Sequence, residues 1–274
     1  MRIAGFLILL FSALCSSADV VLLSDARSPA LIQLANSLSE RLEQPVRQIQ
    51  NAQEASPEDI VILAGEDAIT DWRGTQPSIG IWARRSAIDA SLTRISSAIY
   101  SEPPLARQLK LAQILFPESS VSLMLSESAP AWLREEIAAL PAEGLTIVEK
   151  RRDENLNYAL RKALSGHDVL LGTPDTEIFN PGTIKNILIS AYRQNIPLIG
   201  PHQAYLRAGA IVTTFSSLDD TVTRIIEIIR SEELPAPDYN PYFTIGFNEQ
   251  VARSLDVSLP DSPDALVKRI RAQP

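Results

Sequence analysis

The chain has 274 residues, of which 45% are hydrophobic, and carries a formal net charge of −8 at pH 7. This share of apolar residues is enough to form the core of one large domain or of two lobes. The acidic balance repels phosphate backbones, so we expect no nucleic acid among the partners.

The first eighteen residues have the three parts of a secretory signal peptide. Arg2 supplies the positive start, Phe6–Phe11 (FLILLF) forms the apolar segment, and Ser16–Ala18 provides small residues before a cleavage point. We therefore predict cleavage after Ala18 and a mature periplasmic chain that begins at Asp19.

Two alternatives remain open for this segment. An uncleaved anchor needs about 20 apolar residues to span a bilayer, and the run here is shorter. Lipidation of Cys15 normally follows a small residue, whereas Leu14 precedes it here. Cleavage after Ala18 leaves 256 residues without a thiol, which excludes disulfides and cysteine-based sites. It also removes Arg2 and no acidic residue, so the net charge becomes −9.

From residue 19 onward, short β-branched runs alternate with longer segments of helical period. This pattern favours parallel strands with helices on both faces of the sheet. The predicted strands are Val20–Leu23, Val46–Ile49, Ile60–Leu63, Ile79–Ile81, Ile95–Tyr100, Val121–Leu125, Leu145–Val148, Val169–Leu171, Pro197–Ile199, Ala210–Thr214 and Phe243–Phe247.

Several predicted helices have clear boundaries. Pro104 opens one and Pro117 ends it, and Ser217 begins another that carries acidic residues in its first turn. Asn180 followed by Pro181 predicts an N-cap and the first helical position of a third helix. The residues expected to face inward on that helix are Ile184, Ile187, Leu188, Ala191 and Tyr192.

Two proline-containing breaks organise the chain, at Ser101–Pro104 and at Leu234–Pro241. Ten strands before the second break would make one unusually large sheet. We therefore predict two sheets of about five strands each, separated at the first break.

The familiar catalytic and nucleotide-binding motifs are missing from the sequence. It contains no glycine-rich dinucleotide fingerprint, phosphate-loop lysine, nucleophile elbow or HExxH zinc motif. We therefore expect no enzymatic activity, no cofactor and no metal. His167 precedes a strand and is interpreted as a solvated loop residue. His202 follows a strand, at the edge where ligands bind, and is either a ligand contact, a general base or a surface residue.

The C-terminal half resembles the substrate-binding proteins of ABC transporters, in the group of tryptophan- or tyrosine-type binders. The ordered segments that carry the resemblance are 109–126 (LKLAQILFPESSVSLMLS), 171–175 (LGTPD), 191–199 (AYRQNIPLI), 206–215 (LRAGAIVTTF) and 245–260 (IGFNEQVARSLDVSLP). Two positions depart from that pattern. Thr223 stands where the family has a glycine, and 229–235 lacks the glycine of the family's segment before the final strand.

The resemblance implies an α/β type I periplasmic-binding-protein fold with two Rossmann-like lobes and a ligand between them. Three crossovers, near Ser101, Ser216 and Tyr239, would then connect the lobes. Residues 19–100 and 217–239 would form one lobe, and residues 101–216 and 240–274 the other.

Ligands of open parallel sheets bind beyond the carboxyl ends of the strands, so residues at those ends are the candidates. The candidate ligand-binding residues are Ser24, Asp25, Trp82, Arg84, Tyr100, Thr173, Asp175, His202, Phe215 and Ser216.

Some of these candidates also have structural explanations. Ser24 and Asp25 are suited to capping the next helix, and Asp175 is suited to capping a turn. Trp82 is suited to packing over a sheet edge. In the ligand-binding interpretation, Asp175 and Trp82 face each other across the cleft and contact the amine and the apolar group of an amino-acid-like ligand.

The predicted function is therefore a periplasmic solute-binding protein that clamps a small molecule for an ABC-type permease. An orphan sensor or accessory subunit of a membrane signalling protein would have the same sequence features. An exported hydrolase is a further alternative, but it requires a nucleophile–base pair that the sequence does not provide.

Overall fold

The computed structural model describes residues 18–24, 28–260 and 262–272. The predicted signal peptide, apart from Ala18, lies outside these residues, as does Asp25. None of the helices in the described part of the chain is long and apolar enough to cross a membrane.

The first sheet has six strands, all parallel, in the order β11-β5-β4-β3-β1-β2. Its apolar residues are buried on both faces, as the continuous β-branched runs predict. Its strands are β1 (Val20–Leu23), β2 (Arg47–Ile49), β3 (Ile60–Ala64), β4 (Ser78–Ala83), β5 (Ser97–Tyr100) and β11 (Asp238–Tyr239).

The second sheet also has six strands, in the order β12-β10-β9-β8-β6-β7. Its strands are parallel except for β12, which pairs antiparallel with β10. They are β6 (Val121–Ser126), β7 (Leu145–Lys150), β8 (Val169–Leu171), β9 (Leu198–Ile199), β10 (Val212–Phe215) and β12 (Thr244–Phe247).

Helices cover both faces of each sheet and bury two apolar clusters per sheet, which confirms the predicted pair of α/β lobes. They are α1 (Pro29–Leu42), α2 (Glu66–Thr70), α3 (Arg85–Asp89), α4 (Leu105–Leu115), α5 (Ala131–Ala138), α6 (Leu156–Leu164), α7 (Ile184–Tyr192), α8 (Ala204–Ala208), α9 (Leu218–Arg230), α10 (Glu249–Ser254) and α11 (Pro263–Ala272), with a short 3₁₀ helix at Ala52–Glu54.

The chain passes between the two sheets after β5, after β10 and after β11. The helix α9 follows β10 of the second sheet but packs against α1 of the first. The predicted lobe boundaries at residues 101, 217 and 240 lie in these three connecting segments. The assignment of each residue range to a lobe stays a prediction.

The strand predictions are close to the observed bounds, with two differences in organisation. Each sheet has six strands, whereas about five were predicted. The extra strand of the first sheet, β11, contains only two residues inside the proline-containing break and gives no run of β-branched residues. The sixth strand of the second sheet is β12, which the sequence predicted at Phe243–Phe247 without assigning it to a sheet. Trp82 lies within β4, whereas the sequence placed it after that strand.

One predicted helix start is correct and another is wrong. Ser217 caps α9 in a reciprocal capping box with Asp220. Asn180 does not cap α7, which begins only at Ile184. Its side-chain oxygen instead accepts hydrogen bonds from the backbone N–H groups of Gly182 and Thr183, which forms a separate turn before the helix. Tyr192, predicted to face inward, is 48% exposed.

A buried amide on α4 connects this helix to the ends of two strands. The side chain of Gln108 is 1% exposed. Its Nε2 donates to the carbonyl oxygen of Gly200, after β9, and to Thr213 Oγ1, both at 2.7 Å. Its Oε1 accepts from the backbone N–H of Thr214 at 3.1 Å and from the hydroxyl of that residue at 2.9 Å. All hydrogen-bonding groups of this amide face polar partners in the core.

We predict that Gln108→Leu lowers the free energy of unfolding by about 1–3 kcal/mol, because it leaves buried polar groups without partners. Gln113→Leu is the matched control, since Gln113 lies on the same helix but is exposed, and its effect should stay within about 0.5 kcal/mol. Urea unfolding of both variants measures the difference. Equal effects would show that the buried amide contributes nothing specific.

Candidate functional site

A cavity of about 850 Å³ lies between the carboxyl edges of the two sheets. This is where doubly wound sheets bind ligands. The first sheet and the crossover after it contribute Glu66, Ile81, Trp82, Arg84, Ile99, Tyr100, Ser101 and Glu102. The loops after β8 and β9, the end of β10 with the loop that follows it, the helix α8 and the first turn of α9 contribute the other lining residues. They are Thr173, Pro174, Thr176, Phe179, Pro201, His202, Gln203, Ala204, Tyr205, Leu206, Arg207, Phe215, Ser216 and Thr221.

Trp82 enters the cavity from a distorted part of β4. Its φ is +56°, in the left-handed region that bulky residues rarely adopt. The register with β5 shifts between Gly80 and Ala83, so the strand bulges at this point. The side chain is half-buried against the core of the first sheet, and the indole N–H has no hydrogen bond with a described residue. Strained backbone of this kind costs about 1–3 kcal/mol and is concentrated at ligand sites.

Arg84 also lines the cavity, but its charge is already paired. Its Nε and Nη2 donate to the two carboxylate oxygens of Glu66 at 2.6 and 2.9 Å. These hydrogen bonds lower the pKa of the Glu66 carboxyl and raise that of the Arg84 guanidinium. The two residues therefore form a neutral, bidentate pair at the wall of the cavity.

Three predicted residues line the cavity while their hydroxyl groups bond elsewhere in the protein. Tyr100 donates to Asp89, and burial raises the pKa of this tyrosine to about 12. Thr173 donates to the carbonyl of Met124 at 3.0 Å. Ser216 donates to the carbonyl of Tyr242, in the third connecting segment, at 3.2 Å. These residues therefore shape the cavity wall, but their hydroxyl protons are already used in hydrogen bonds within the protein.

His202 and Tyr205 form the wall of the cavity next to β9. The Nδ1 of His202 accepts from the backbone N–H of Ala204 at 3.3 Å, which leaves the proton on Nε2. Desolvation by the surrounding walls lowers the pKa of this imidazole, so it is neutral at pH 7 and available as a donor. Its ring packs edge-on against the ring of Tyr205, with 4.6 Å between the two ring centroids. Burial raises the pKa of Tyr205 to about 12.

A close backbone approach holds the loops of β8 and β9 together beside these residues. A Cβ on Gly172 would lie 2.6 Å from Pro201 Cδ and 2.8 Å from the carbonyl oxygen of Ile199. Only glycine fits there without moving Pro201, which precedes His202 in the cavity wall.

The predicted position of Asp175 is wrong. Its side chain is 2% exposed and is not among the groups that line the cavity. Its two carboxylate oxygens accept from the backbone N–H groups of Ser126 at 2.6 Å and of Glu177 at 3.0 Å. Asp175 therefore ties the end of β6 to the turn after β8, and does not face Trp82 across the cleft.

Ser24 is also not among the residues that line the cavity. It is half-buried at the end of β1. Of the ten predicted residues, the structure brings seven together around one cavity: Trp82, Arg84, Tyr100, Thr173, His202, Phe215 and Ser216.

The sequence analysis missed a buried carboxylate in the cavity wall. Glu102 is 6% exposed and lies in the first connecting segment, where the sequence indicated only a break. Its Oε2 accepts from the backbone N–H of Arg85 at 2.9 Å and from the hydroxyl of Ser101 at 3.2 Å. It forms no ion pair with a described residue, and burial raises its pKa. Its position two residues beyond the end of the predicted strand Ile95–Tyr100 was the available signal.

Arg207 was also missed, because it lies on α8 and not at a strand end. Its side chain is exposed at the cavity and makes no hydrogen bond or ion pair with any residue in the described ranges. It therefore differs from Arg84, whose guanidinium is occupied by Glu66. The described residues contain no cluster of His, Cys, Asp or Glu that could hold a metal ion.

Arg85 connects the lobes beside the cavity. It begins α3, and its guanidinium lies 5.0 Å from the ring centroid of Tyr100 and 4.9 Å from that of Trp132 on α5. It also donates to the hydroxyl of Tyr239 at 3.1 Å and lies 3.5 Å from Glu136 Oε1. The lobes thus meet around a cation enclosed by aromatic rings, next to two of the connecting segments.

We predict that Trp82→Gly is more stable than Trp82→Ala by about 1 kcal/mol, since glycine adopts a positive φ without strain. Both variants lose the same packing of the indole, so the comparison isolates the backbone. Melting temperatures of the two variants measure the difference. In an unstrained strand, glycine would be the less stable of the two.

No protein-family model matches the sequence, and no curated protein matches it. Several solved structures do. A ligand-free, open substrate-binding protein with adhesive properties from Clostridium difficile aligns at 14% identity with a TM-score of 0.67, over 90% of this chain and 97% of that one.

Two further structures cover 92% of this chain and 98% of their own, both at 14% identity. One is a conserved domain protein from Vibrio cholerae, with a TM-score of 0.56. The other is an ABC domain from Streptococcus pneumonia in complex with L-Trp, with a TM-score of 0.52. At this level of identity the similarity establishes the fold alone. The two α/β lobes form a type I periplasmic-binding-protein fold.

Proposed function

We propose that the protein binds a small amino-acid-like solute between its two lobes and does not transform it. The observation that carries this proposal is the cavity of about 850 Å³ between the carboxyl edges of both sheets. Its volume is in the range of small-molecule sites. It combines aromatic walls with a few charged groups, as such sites do.

Glu102 is the group that supports binding of an amine. It is nearly buried, faces the cavity and forms no ion pair with a cationic side chain in the described ranges, although the charge of Arg84 acts on it. A buried carboxylate gains most from a partner that brings a positive charge and hydrogen-bond donors. In this proposal Glu102 takes the role that the sequence had assigned to Asp175.

The other parts of an amino acid find complementary groups in the same cavity. The indole of Trp82 offers a flat apolar face to a side chain. The unpaired guanidinium of Arg207 and the neutral His202 offer donors to a carboxylate. A zwitterion with an apolar side chain therefore matches this distribution of charge better than a sugar or an inorganic anion does.

The wider role follows from the fold of the neighbours. Substrate-binding proteins deliver solutes to ABC transporters, and one neighbour was solved with L-Trp. Together with the predicted signal peptide, this supports a periplasmic protein of the tryptophan- or tyrosine-type group that serves an ABC-type permease.

The cavity chemistry also favours binding over hydrolysis. Among the described residues, the hydroxyl groups of Thr173 and Ser216 donate to backbone carbonyls, and neither bonds to His202. An activated nucleophile requires a base within hydrogen-bond reach.

We expect L-tryptophan to bind the mature chain, with N-acetyl-L-tryptophan and tryptamine each binding at least about tenfold more weakly because they lack one charge. Glu102→Gln should weaken binding of L-tryptophan but not of the N-acetyl compound, and Arg207→Gln should spare tryptamine. Arg253→Gln on α10 is the control, since it is exposed and remote from the cavity. Isothermal titration calorimetry measures each affinity.

The pH dependence gives the same test a second readout. Because burial raises the pKa of Glu102 and an ammonium group favours its ionised form, affinity should rise as pH rises through that pKa. Glu102→Gln should lose this rise. If no amino acid or amine in a broad panel binds, the proposed function is wrong.

We predict that the lobes close on the ligand, as hinged two-lobed proteins do. Small-angle scattering should give a smaller radius of gyration with saturating L-tryptophan than without it. Arg85→Ala should alter the ligand-free profile, because it removes the contacts that the guanidinium makes with Trp132 and Glu136 on α5. An unchanged radius at saturation would contradict a clamp.

A further inference from the structure

The helices α6 and α7 lie side by side on the outer face of the second lobe, away from the ligand cavity. Together with Arg193 in the turn that follows α7, they carry four cations, namely Arg161, Lys162, Lys185 and Arg193, and no acidic residue. The whole chain has 33 acidic residues and 25 lysines and arginines, so its net charge is negative. The α6–α7 face is therefore a positively charged surface on an acidic protein.

Three of these four cations form no hydrogen bond or ion pair within the described part of the chain. Lys162 pairs with Glu154 at 2.9 Å. The side chains of Arg161, Lys185 and Arg193 make no hydrogen bond or ion pair with any residue that the structure describes, although Arg161 lies 5.7 Å from the ring of Tyr158. All four are exposed.

The same face exposes apolar and aromatic surface. Six large hydrophobic side chains in the described part of the chain are strongly exposed, and three of them lie on these two helices. They are Tyr158 at 49%, Ile189 at 42% and Tyr192 at 48%. Tyrosine and arginine together are the residue types enriched at the centres of protein interfaces.

A cavity of about 380 Å³ separates the two helices within this face. Arg161 on α6 and Arg193 in the turn after α7 both line it, and the other lining residues are Asn157, Leu160, Leu164, Asn186, Ser190 and Gln194. Guanidinium and amide groups around a concave surface hydrogen-bond carboxylate side chains in fixed directions.

We infer that the α6–α7 face is a docking surface for an acidic segment of a partner protein, one that carries carboxylates together with apolar side chains. The carboxylates pair with Arg161 and Arg193 in the groove, and the apolar side chains cover Tyr158, Ile189 and Tyr192. The concave, amide-lined groove favours a protein over a lipid surface, because a bilayer presents no side chain to fill it. The surface is separate from the ligand cavity, so the inference does not depend on the proposed function.

The test uses a synthetic amphipathic helix of glutamate, alanine and leucine as the probe, with a second peptide in which glutamine replaces every glutamate. The mature chain should bind the glutamate peptide in a salt-dependent manner and the glutamine peptide at least about tenfold more weakly. Arg161→Glu/Arg193→Glu should abolish binding of the glutamate peptide.

The matched control is Arg253→Glu/Arg269→Glu, which makes the same change of net charge at exposed positions of α10 and α11. It should bind the peptide as the unaltered chain does. Because all four side chains are exposed, both double variants should keep the circular dichroism spectrum and melting temperature of the parent.

Three results would overturn the inference. Equal loss of binding in the control variant would show attraction by net charge alone. Equal binding of the two peptides would show that the carboxylates are irrelevant. Binding of phosphatidylglycerol vesicles but not of the glutamate peptide would assign the face to a membrane surface.

Discussion

The geometry of the ligand cavity depends on one buried amide. Gln108 sits on the first helix after the chain enters the second lobe, and its side chain bonds to the ends of β9 and β10. The loops that begin there carry Pro201 and His202 on one side and Phe215 and Ser216 on the other. A side chain with both donors and acceptors fixes the two loops relative to each other, whereas an apolar residue would fix neither.

The charges of the cavity divide into a satisfied part and an unsatisfied part. Arg84 and Glu66 neutralise each other in a bidentate pair, so a ligand that engaged either would have to replace an existing partner. Glu102 and Arg207 have no such partner among the described residues. A ligand with one positive and one negative group would supply a partner to both, which is the basis for proposing a zwitterion.

The sequence predicted the central strands well because they are buried on both faces and are therefore continuous apolar runs, as in Val169–Leu171. Strand ends then located the cavity, since parallel strands place their carboxyl ends on one side. The sequence did not show which polar side chains form hydrogen bonds with the backbone and which face the cavity. Asp175 and Glu102 both follow strands, but the structure alone shows that backbone N–H groups occupy both oxygens of Asp175. The strained backbone of Trp82 also had no sequence signal, because φ is set by packing.

The two sheets share one strand order. In each, the first five strands run 2-1-3-4-5 from one edge, so β4 of the first sheet corresponds to β9 of the second. The two lobes thus repeat one topology, and the cavity lies between topologically equivalent edges of the two sheets. Those edges differ in chemistry: one presents the indole of Trp82, and the other presents the imidazole of His202. In the proposed function, a repeated frame with unlike walls would favour a ligand that has two different ends and would bind it in one orientation.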